Sequence, residues 1–221
     1  MLKAIIFDLD GTTLDSIEGI LVSLNEANIK HNLKPITVEM AKNFIGDGVD
    51  MLVKRSIVHS RDIDKINSID NDLFKRVKDT YMDAYEKNRI SLSKEFDNVS
   101  KTLSELKSKG IILGILSNKP HVDTVPMIKY FFNDLFDIVY GSCDKTGTKP
   151  DTKGIDFILN ELQIEKDEIL YVGDSDIDLY LCENAKIKSV YCTYGYAHKG
   201  ILERHKPDFI IDKFEDIKNI I

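Results

Sequence analysis

Two aspartates stand one residue apart, directly after a run of apolar residues near the start of the chain. The stretch AIIFDLDGTTLDS covers residues 4–16, and Asp8 and Asp10 follow a segment typical of a buried strand. One carboxylate can attack phosphorus as a nucleophile, and a second can protonate a leaving oxygen and later deprotonate water. An Asp-Gly pair is also common in ordinary turns, so other residues must decide between these interpretations.

A second pair of acids follows another apolar run, ILYVGD at 169–174. Asp174 ends this run and Asp178 lies one helical step further. Ligands of doubly wound sheets bind beyond the carboxyl ends of the strands, so three or four carboxylates can face one crevice. Two charges at roughly 4 Å repel by about 4 kcal/mol at an effective dielectric near 20, so the cluster takes up a proton or binds a cation. Oxygen-only ligands favour Mg²⁺ over zinc, although both acids could also simply cap a helix.

Groups that can bind a phosphate accompany these acids. Gly11 allows a sharp turn that brings the N–H groups of Gly11 and Thr12 toward an anion. Ser117 and Asn118 follow the apolar run ILGIL, and Lys149 lies in GTKPD. A hydroxyl, an amide and an ammonium can bind phosphate oxygens, but the same residues could also end a strand or lie in a solvated loop.

The sequence pattern predicts that a parallel sheet positions these residues. Six apolar runs have strand length: KAIIFD (3–8), IILGIL (111–116), FDIVYG (136–141), ILYVGD (169–174), KSVYCT (188–193) and DFIID (208–212). A short helix that Gly110 ends is predicted at 98–109, and amphipathic helices are predicted between later strands at 152–163 and 176–186. Continuous apolar strands that alternate with helices predict an α/β fold with a doubly wound parallel sheet covered on both faces.

Residues 16–89 show a different pattern, with no strand-like run. Their apolar residues recur at helical spacing, as in Ile63, Ile66, Leu73, Phe74, Val77, Tyr81, Ala84 and Tyr85. Thr37 can cap a helix that ends at Gly46, and another helix is predicted to begin near Val49. The sequence therefore predicts an α/β core at 1–15 and 90–221, interrupted by a helical cap at 16–89.

Composition limits the classes of partner. The chain has 221 residues, of which 43% are hydrophobic and 30% charged, with a formal net charge of -7. A negative far field without a basic cluster argues against nucleic acid, and no apolar run is long enough to span a bilayer. Three cysteines without CxxC spacing indicate reduced thiols. We expect a cytoplasmic monomer or homodimer whose partner is a small phosphorylated metabolite.

Four segments occur in an order that resembles the haloacid dehalogenase superfamily, specifically its Mg²⁺-dependent phosphatases with a helical cap. They are FDLDGTTLDS, ILSNKP, TKP and YVGDSDIDL. The resemblance implies a Rossmann-like core, with Asp8 as the phosphorylated nucleophile and Asp10 as the acid and base. It also implies Mg²⁺ held by Asp8, the Asp10 carbonyl and Asp174, with Asp178 in support. Ser117, Asn118 and Lys149 would hold the transferring phosphoryl group.

Within that superfamily, IGDGVDMLVKRS (45–56) and SNKP (117–120) are most similar to phosphoglycolate phosphatases. The turn Gly46, Asp47, Gly48 would then contribute to specificity, or only connect two helices. Lys119 would approach the substrate carboxylate, unless it is an exposed lysine at a helix start.

The resemblance favours 2-phosphoglycolate as the substrate. Sugar-phosphate and nucleotide phosphatases, an inorganic pyrophosphatase and a phosphomutase are the alternatives within the superfamily. A non-catalytic phospho-acceptor module resembling a bacterial receiver domain also clusters acids and a lysine at strand ends.

The remaining polar residues carry weaker signals. Asp176 fits a helix N-terminal charge that the helix dipole favours. His121, His198 and the tyrosine-rich stretch at 191–200 lack metal-ligand spacing, so we expect them to pack or to face solvent.

Overall fold

The computed structural model describes residues 2–196 and 200–221, so His198 lies outside the described residues. The chain divides into two compact units. One contains the residues up to Asp15 together with Lys94–Ile221, and the other is Ser16–Ser93. The division thus falls after residue 93, somewhat beyond the position near residue 90 where the helical pattern ends in the sequence.

A six-stranded parallel sheet forms the centre of the first unit. The strands of this unit are β1 (Ala4–Phe7), β2 (Leu14–Asp15), β3 (Lys94–Glu95), β4 (Ile112–Pro120), β5 (Ile138–Ser142), β6 (Ile169–Gly173), β7 (Lys188–Cys192) and β8 (Phe209–Ile211). The sheet has the order β5-β4-β1-β6-β7-β8. At its centre, Phe7 of β1 lies level with Ile115 of β4 and Val172 of β6.

Helices cover this sheet, which confirms the predicted doubly wound α/β fold. They are α6 (Val99–Ser108), α7 (His121–Phe132), α8 (Lys153–Leu162), α9 (Asp176–Ala185) and the short α10 (Ile201–Arg204). Ile6, Tyr171, Ile155, Ile158 and Leu181 belong to one buried apolar cluster of strand and helix residues. The central strands are apolar throughout because both of their faces are buried.

A two-stranded antiparallel ribbon of β2 and β3 is absent from the sequence-based expectation. Leu14 pairs with Glu95, and Asp15 pairs with Lys94. Each strand has only two residues, which is too short for any hydrophobic period to show. The ribbon joins the two ends of the α/β unit on either side of the inserted residues.

The second unit, Ser16–Ser93, is helical. Its helices are α1 (Ile17–Lys30), α2 (Val38–Phe44), α3 (Val49–Val58), α4 (Ile63–Asn67) and α5 (Asn71–Asn88). Side-chain caps set two of the helix starts: Thr37 accepts from the Met40 N–H, and Asp70 accepts from the Leu73 N–H at 2.8 Å. In the described part of the chain, none of the helices combines the length and apolar composition that a membrane span needs.

Candidate active site

The carboxyl ends of neighbouring parallel strands bring the sequence-predicted residues together. Asp8 directly follows β1 and Asp174 directly follows β6, and the Asp8 N–H donates to the Val172 carbonyl at 2.9 Å. Strand β4, on the other side of β1, continues through Ser117 to Pro120. Acids and polar residues therefore meet at one edge of the sheet.

Three buried carboxylates form the centre of this edge. Asp8, Asp174 and Asp178 each offer an oxygen, and these oxygens all lie within 4.8 Å of one another. Burial raises the pKa of Asp8 to about 6, against the opposing charge of Lys149. Burial, together with the charges of Asp178 and Asp8, also raises the pKa of Asp174 well above its usual range. The three oxygens form a donor set that could hold a metal ion.

One buried ammonium offsets part of this negative charge. Lys149 Nζ lies 2.9 Å from Asp8 Oδ1 and 2.7 Å from Asp178 Oδ1, and it donates to the Tyr171 hydroxyl at 3.0 Å. Burial alone would lower the pKa of the Lys149 ammonium, but the carboxylates of Asp178 and Asp8 outweigh it and raise that pKa. Lys149 therefore remains a cation beside Asp8.

Asn118 reaches the site, but its side chain acts on the protein main chain. Its Nδ2 donates to the Lys149 carbonyl at 2.9 Å, and its Oδ1 accepts from the Lys149 N–H at 2.6 Å. The carboxamide therefore fixes the backbone that carries the ammonium. Ser117 is also buried, and its Oγ accepts from the Lys119 N–H at 3.3 Å.

Gly11 and Thr12 support Asp174 rather than present their N–H groups to the crevice. The Gly11 N–H donates to the Leu14 carbonyl and the Thr12 N–H to the Leu9 carbonyl, because the loop closes on itself in a tight turn. The Thr12 hydroxyl donates to Asp174 Oδ1 at 3.1 Å. Gly11 has φ of 89°, and a Cβ there would collide with the Asp174 carboxylate. The structure thus differs from the expected use of these two N–H groups as anion donors.

The loop after β7 contains contacts that the sequence analysis missed. The Tyr196 N–H donates to Asp174 Oδ2 at 2.7 Å, and the Tyr194 hydroxyl donates to the Thr12 carbonyl at 2.8 Å. Gly195 lies so close to Asp174 that a Cβ would collide with its side chain. The expected packing role of this stretch holds for these residues, but they pack against the acidic site. A glycine between two tyrosines was the available signal.

The Lys119 side chain forms an ion pair with Asp10. Its Nζ lies 2.8 Å from Asp10 Oδ2, with side chains 5% and 11% exposed, respectively. Asp176, two residues after Asp174, lies apart from the acidic triad and forms a two-pronged ion pair with Arg204 at 2.8 and 2.9 Å.

The turn Gly46, Asp47, Gly48 belongs to the helical unit. Both glycines have positive φ, 120° and 83°. The Asp47 carboxylate pairs with the buried Arg55 and, at 3.2 Å, with Arg61. Two arginines therefore fix the shape of this turn from within its own unit.

The fold and its acidic edge define a class of hydrolase. The sequence matches the family of haloacid dehalogenase-like hydrolases over residues 5–192, and the chain belongs to that family. Within it, the chain is a phosphatase that resembles phosphoglycolate phosphatases.

The similarity to known proteins covers nearly the whole chain. The phosphoglycolate phosphatase of Mannheimia succiniciproducens is 30% identical over 220 residues, which cover 99% of this chain and 98% of the relative. That of Vibrio cholerae is 29% identical over 225 residues, with 100% and 97% covered. The crystal structure of a predicted phosphoglycolate phosphatase from Haemophilus somnus 129pt has a TM-score of 0.90 at 31% identity and covers 99% of this chain and 97% of its own.

Proposed function

We propose that this phosphatase hydrolyses a small phosphomonoester, with 2-phosphoglycolate as the favoured substrate, through an aspartyl-phosphate on Asp8. The observation that carries the proposal is the buried Asp8 carboxylate at the end of β1, 2.9 Å from the Lys149 ammonium and grouped with two further acids. The relatives named phosphoglycolate phosphatase support the choice of substrate.

The acidic triad fits a hard divalent cation, and we propose Mg²⁺. All three donors are carboxylate oxygens, the type of ligand that Mg²⁺ prefers. Burial, and then the charges of Asp178 and Asp8, raise the pKa of Asp174, and a bound cation would favour its charged form. Asp8, Asp174 and Asp178 would hold the ion with the Asp10 carbonyl, and the bound ion would neutralise charge on the phosphoryl oxygens.

Asp8 and Asp10 divide the chemistry between them. An Asp8 oxygen attacks phosphorus, and the bond from phosphorus to the ester oxygen breaks as Asp10 gives that oxygen a proton. Asp10 then accepts a proton from water as the water oxygen attacks phosphorus, which releases phosphate and restores Asp8. Lys149 keeps a positive charge beside both steps. Ser117 contributes a hydroxyl to the phosphoryl site, and Asn118 holds Lys149 in position.

We also propose that the helical unit is a cap that contributes to specificity. The turn Gly46, Asp47, Gly48 is the part of this unit that we expect to face the substrate. Lys119 from the α/β unit supplies a second contact. Each of the three cysteines, all among the described residues, is a free thiol, which supports a cytoplasmic setting.

Phosphate release tests this function directly. Wild type should hydrolyse 2-phosphoglycolate and p-nitrophenyl phosphate with Mg²⁺ and lose this activity in EDTA. Asp8→Asn should lower kcat by a factor of about 10³ or more. Asp134→Asn, at a side chain 80% exposed, is the matched control and should retain wild-type activity. Undiminished turnover by Asp8→Asn would exclude the aspartyl-phosphate.

A substrate panel separates the related activities. Phosphate release from 2-phosphoglycolate, sugar phosphates, nucleotides and pyrophosphate should be compared as kcat/KM at one Mg²⁺ concentration. We expect 2-phosphoglycolate to give the highest value. A higher value for one of the others would leave the chemistry of Asp8 intact and change the substrate.

A further inference from the structure

Lys119, which forms an ion pair with Asp10, is a second buried cation in the candidate active site. Lysine is rarely buried unless its charge is paired, and here the ammonium has a carboxylate partner at 2.8 Å. Asp10 is the acid that we propose to face the leaving oxygen of the substrate. A cation at this position therefore lies on the leaving-group side of the reaction.

Hydrogen bonds and packing hold the main chain of Lys119, so any change of partner must come from its long side chain. The Lys119 N–H donates to Ser117 Oγ, and the Lys119 carbonyl accepts from the Thr124 hydroxyl at 3.3 Å. Gly141 packs so closely that a Cβ there would collide with the Lys119 carbonyl. A lysine ammonium on four methylenes can still shift toward a competing anion.

The two buried lysines have different partners. Lys149 already contacts Asp8, Asp178 and Tyr171, and it belongs to the phosphoryl-transfer side of the site. Lys119 contacts Asp10 instead. An anionic group attached close to the ester oxygen would thus meet Lys119 rather than Lys149.

In 2-phosphoglycolate a single methylene separates the ester oxygen from the carboxylate. When Asp10 faces that ester oxygen, the substrate carboxylate comes into the region of the Lys119 ammonium. We propose that Lys119 is a specificity-determining residue that exchanges Asp10 for the carboxylate of the bound substrate. This inference rests on the proposed function and selects phosphomonoesters with a carboxylate on the ester-bearing carbon.

The test compares two substrates of equal length. One is 2-phosphoglycolate and the other is 2-hydroxyethyl phosphate, in which a hydroxymethyl group replaces the carboxylate. The measured quantity is the ratio of their kcat/KM values, because any general change at Asp10 cancels in it. Wild type should favour 2-phosphoglycolate, and Lys119→Met should lower the ratio by about 10- to 100-fold, as expected for one charged hydrogen bond.

Variants with and without the charge complete the design. Lys119→Arg should retain part of the preference, since its charge remains. Lys129→Met, at a side chain 63% exposed, should leave the ratio unchanged. If thermal unfolding shows no cooperative transition for Lys119→Met, Lys119→Gln takes its place.

Two results would overturn the assignment. An equal loss on both substrates in Lys119→Met would make Lys119 a positioning residue for Asp10 only. A wild-type ratio near one would show that no group recognises the carboxylate. Failure of the proposed function is distinguishable, because wild type would then not hydrolyse p-nitrophenyl phosphate in an Asp8-dependent way.

Discussion

At the scale of single residues, Tyr171 shows how a core side chain supports the site. It lies in β6, is almost completely buried, and donates its hydroxyl proton toward the Leu116 carbonyl at 2.9 Å. The same oxygen accepts from Lys149 Nζ at 3.0 Å and lies 3.1 Å from Asp178 Oδ1. One phenol thus fixes the distance between a cation and an acid of the site.

We therefore expect Tyr171→Phe to keep the ring packing and weaken catalysis. Removal of the hydroxyl deprives Lys149 of an acceptor and takes one donor from the buried Leu116 carbonyl. The free energy of unfolding should fall by about 1–3 kcal/mol, and kcat should fall by about 10-fold as the ammonium loses its fixed position. Urea denaturation and steady-state phosphate release measure the two effects.

The control for this variant is Tyr130→Phe, at a tyrosine that is 68% exposed on α7. It should change neither quantity. A Tyr171→Phe protein with reduced stability but wild-type kcat would mean that the hydroxyl serves only the core, and that Asp8 and Asp178 hold Lys149 without it.

Residue type and position along the chain were enough to predict which acids meet, but not where each side chain points. Asp8 and Asp174 end apolar runs, and parallel strands bring such ends to one edge of the sheet. The direction of the Asn118 carboxamide depends on the distant Lys149 main chain. Tyr196 reaches Asp174 through a backbone N–H, which every residue except proline carries, so the tyrosine side chain does not reveal this contact and only the neighbouring Gly195 hints at it.

At the scale of elements, an arginine holds the connection between α2 and α3. Arg55 is 5% exposed, donates to the Phe44 carbonyl at 2.8 Å and pairs with Asp47. The Phe44 carbonyl is near the end of α2, where carbonyls lack partners within the helix. Arg55 thus satisfies a helix end and fixes the turn that follows it.

Replacement of Arg55 by methionine should loosen this connection. The Phe44 carbonyl would lose its donor and Asp47 one of its two cations, so the free energy of unfolding should fall by about 1–3 kcal/mol. Since we propose that the turn contributes to specificity, KM for 2-phosphoglycolate should rise more than kcat falls. Urea denaturation and steady-state kinetics give both values.

The matched control is Arg61→Met, because this arginine contacts the same Asp47 from a side chain that is 37% exposed. Its loss should lower stability by less than about 1 kcal/mol. Equal losses of stability in the two variants would contradict the idea that burial makes Arg55 the stronger support of the turn.

Elements with a long apolar pattern were predictable, whereas those held by a few tertiary bonds were not. The central strands follow from continuous apolar runs, and α5 follows from its helical spacing. The β2–β3 ribbon is made by four residues far apart along the chain, among them Asp15 and Lys94. Such a ribbon depends only on pairing between segments distant along the chain, so no local sequence pattern predicts it.

At the scale of the whole molecule, the acidic site should lower stability when no metal ion is bound. The chain has a net charge of -7, and its buried triad concentrates negative charge around one lysine. The raised pKa of Asp8, about 6, results first from burial. In the unfolded chain an aspartate titrates near pH 3.9. The folded protein therefore binds this proton more tightly than the unfolded chain does.

The sign of the pH dependence follows from this difference. Below about pH 3 both states carry the proton, and the stability linked to protonated Asp8 is fully present. As the pH rises toward 6, the unfolded state has lost the proton while the folded state still holds it. In EDTA the contribution of Asp8 to the free energy of unfolding should therefore fall by about 2 kcal/mol between pH 4 and 6.

Asp8→Asn isolates this contribution from that of all other acids. Its side chain does not titrate, so in EDTA the variant should match wild type near pH 3 and exceed it in stability at pH 7. Mg²⁺ should reverse the order at pH 7, because an ion that binds only the folded wild type stabilises it by mass action. Urea denaturation of both proteins, with EDTA or Mg²⁺, measures the difference. If wild type in EDTA gained stability over Asp8→Asn between pH 4 and 6, burial would not dominate the protonation of Asp8.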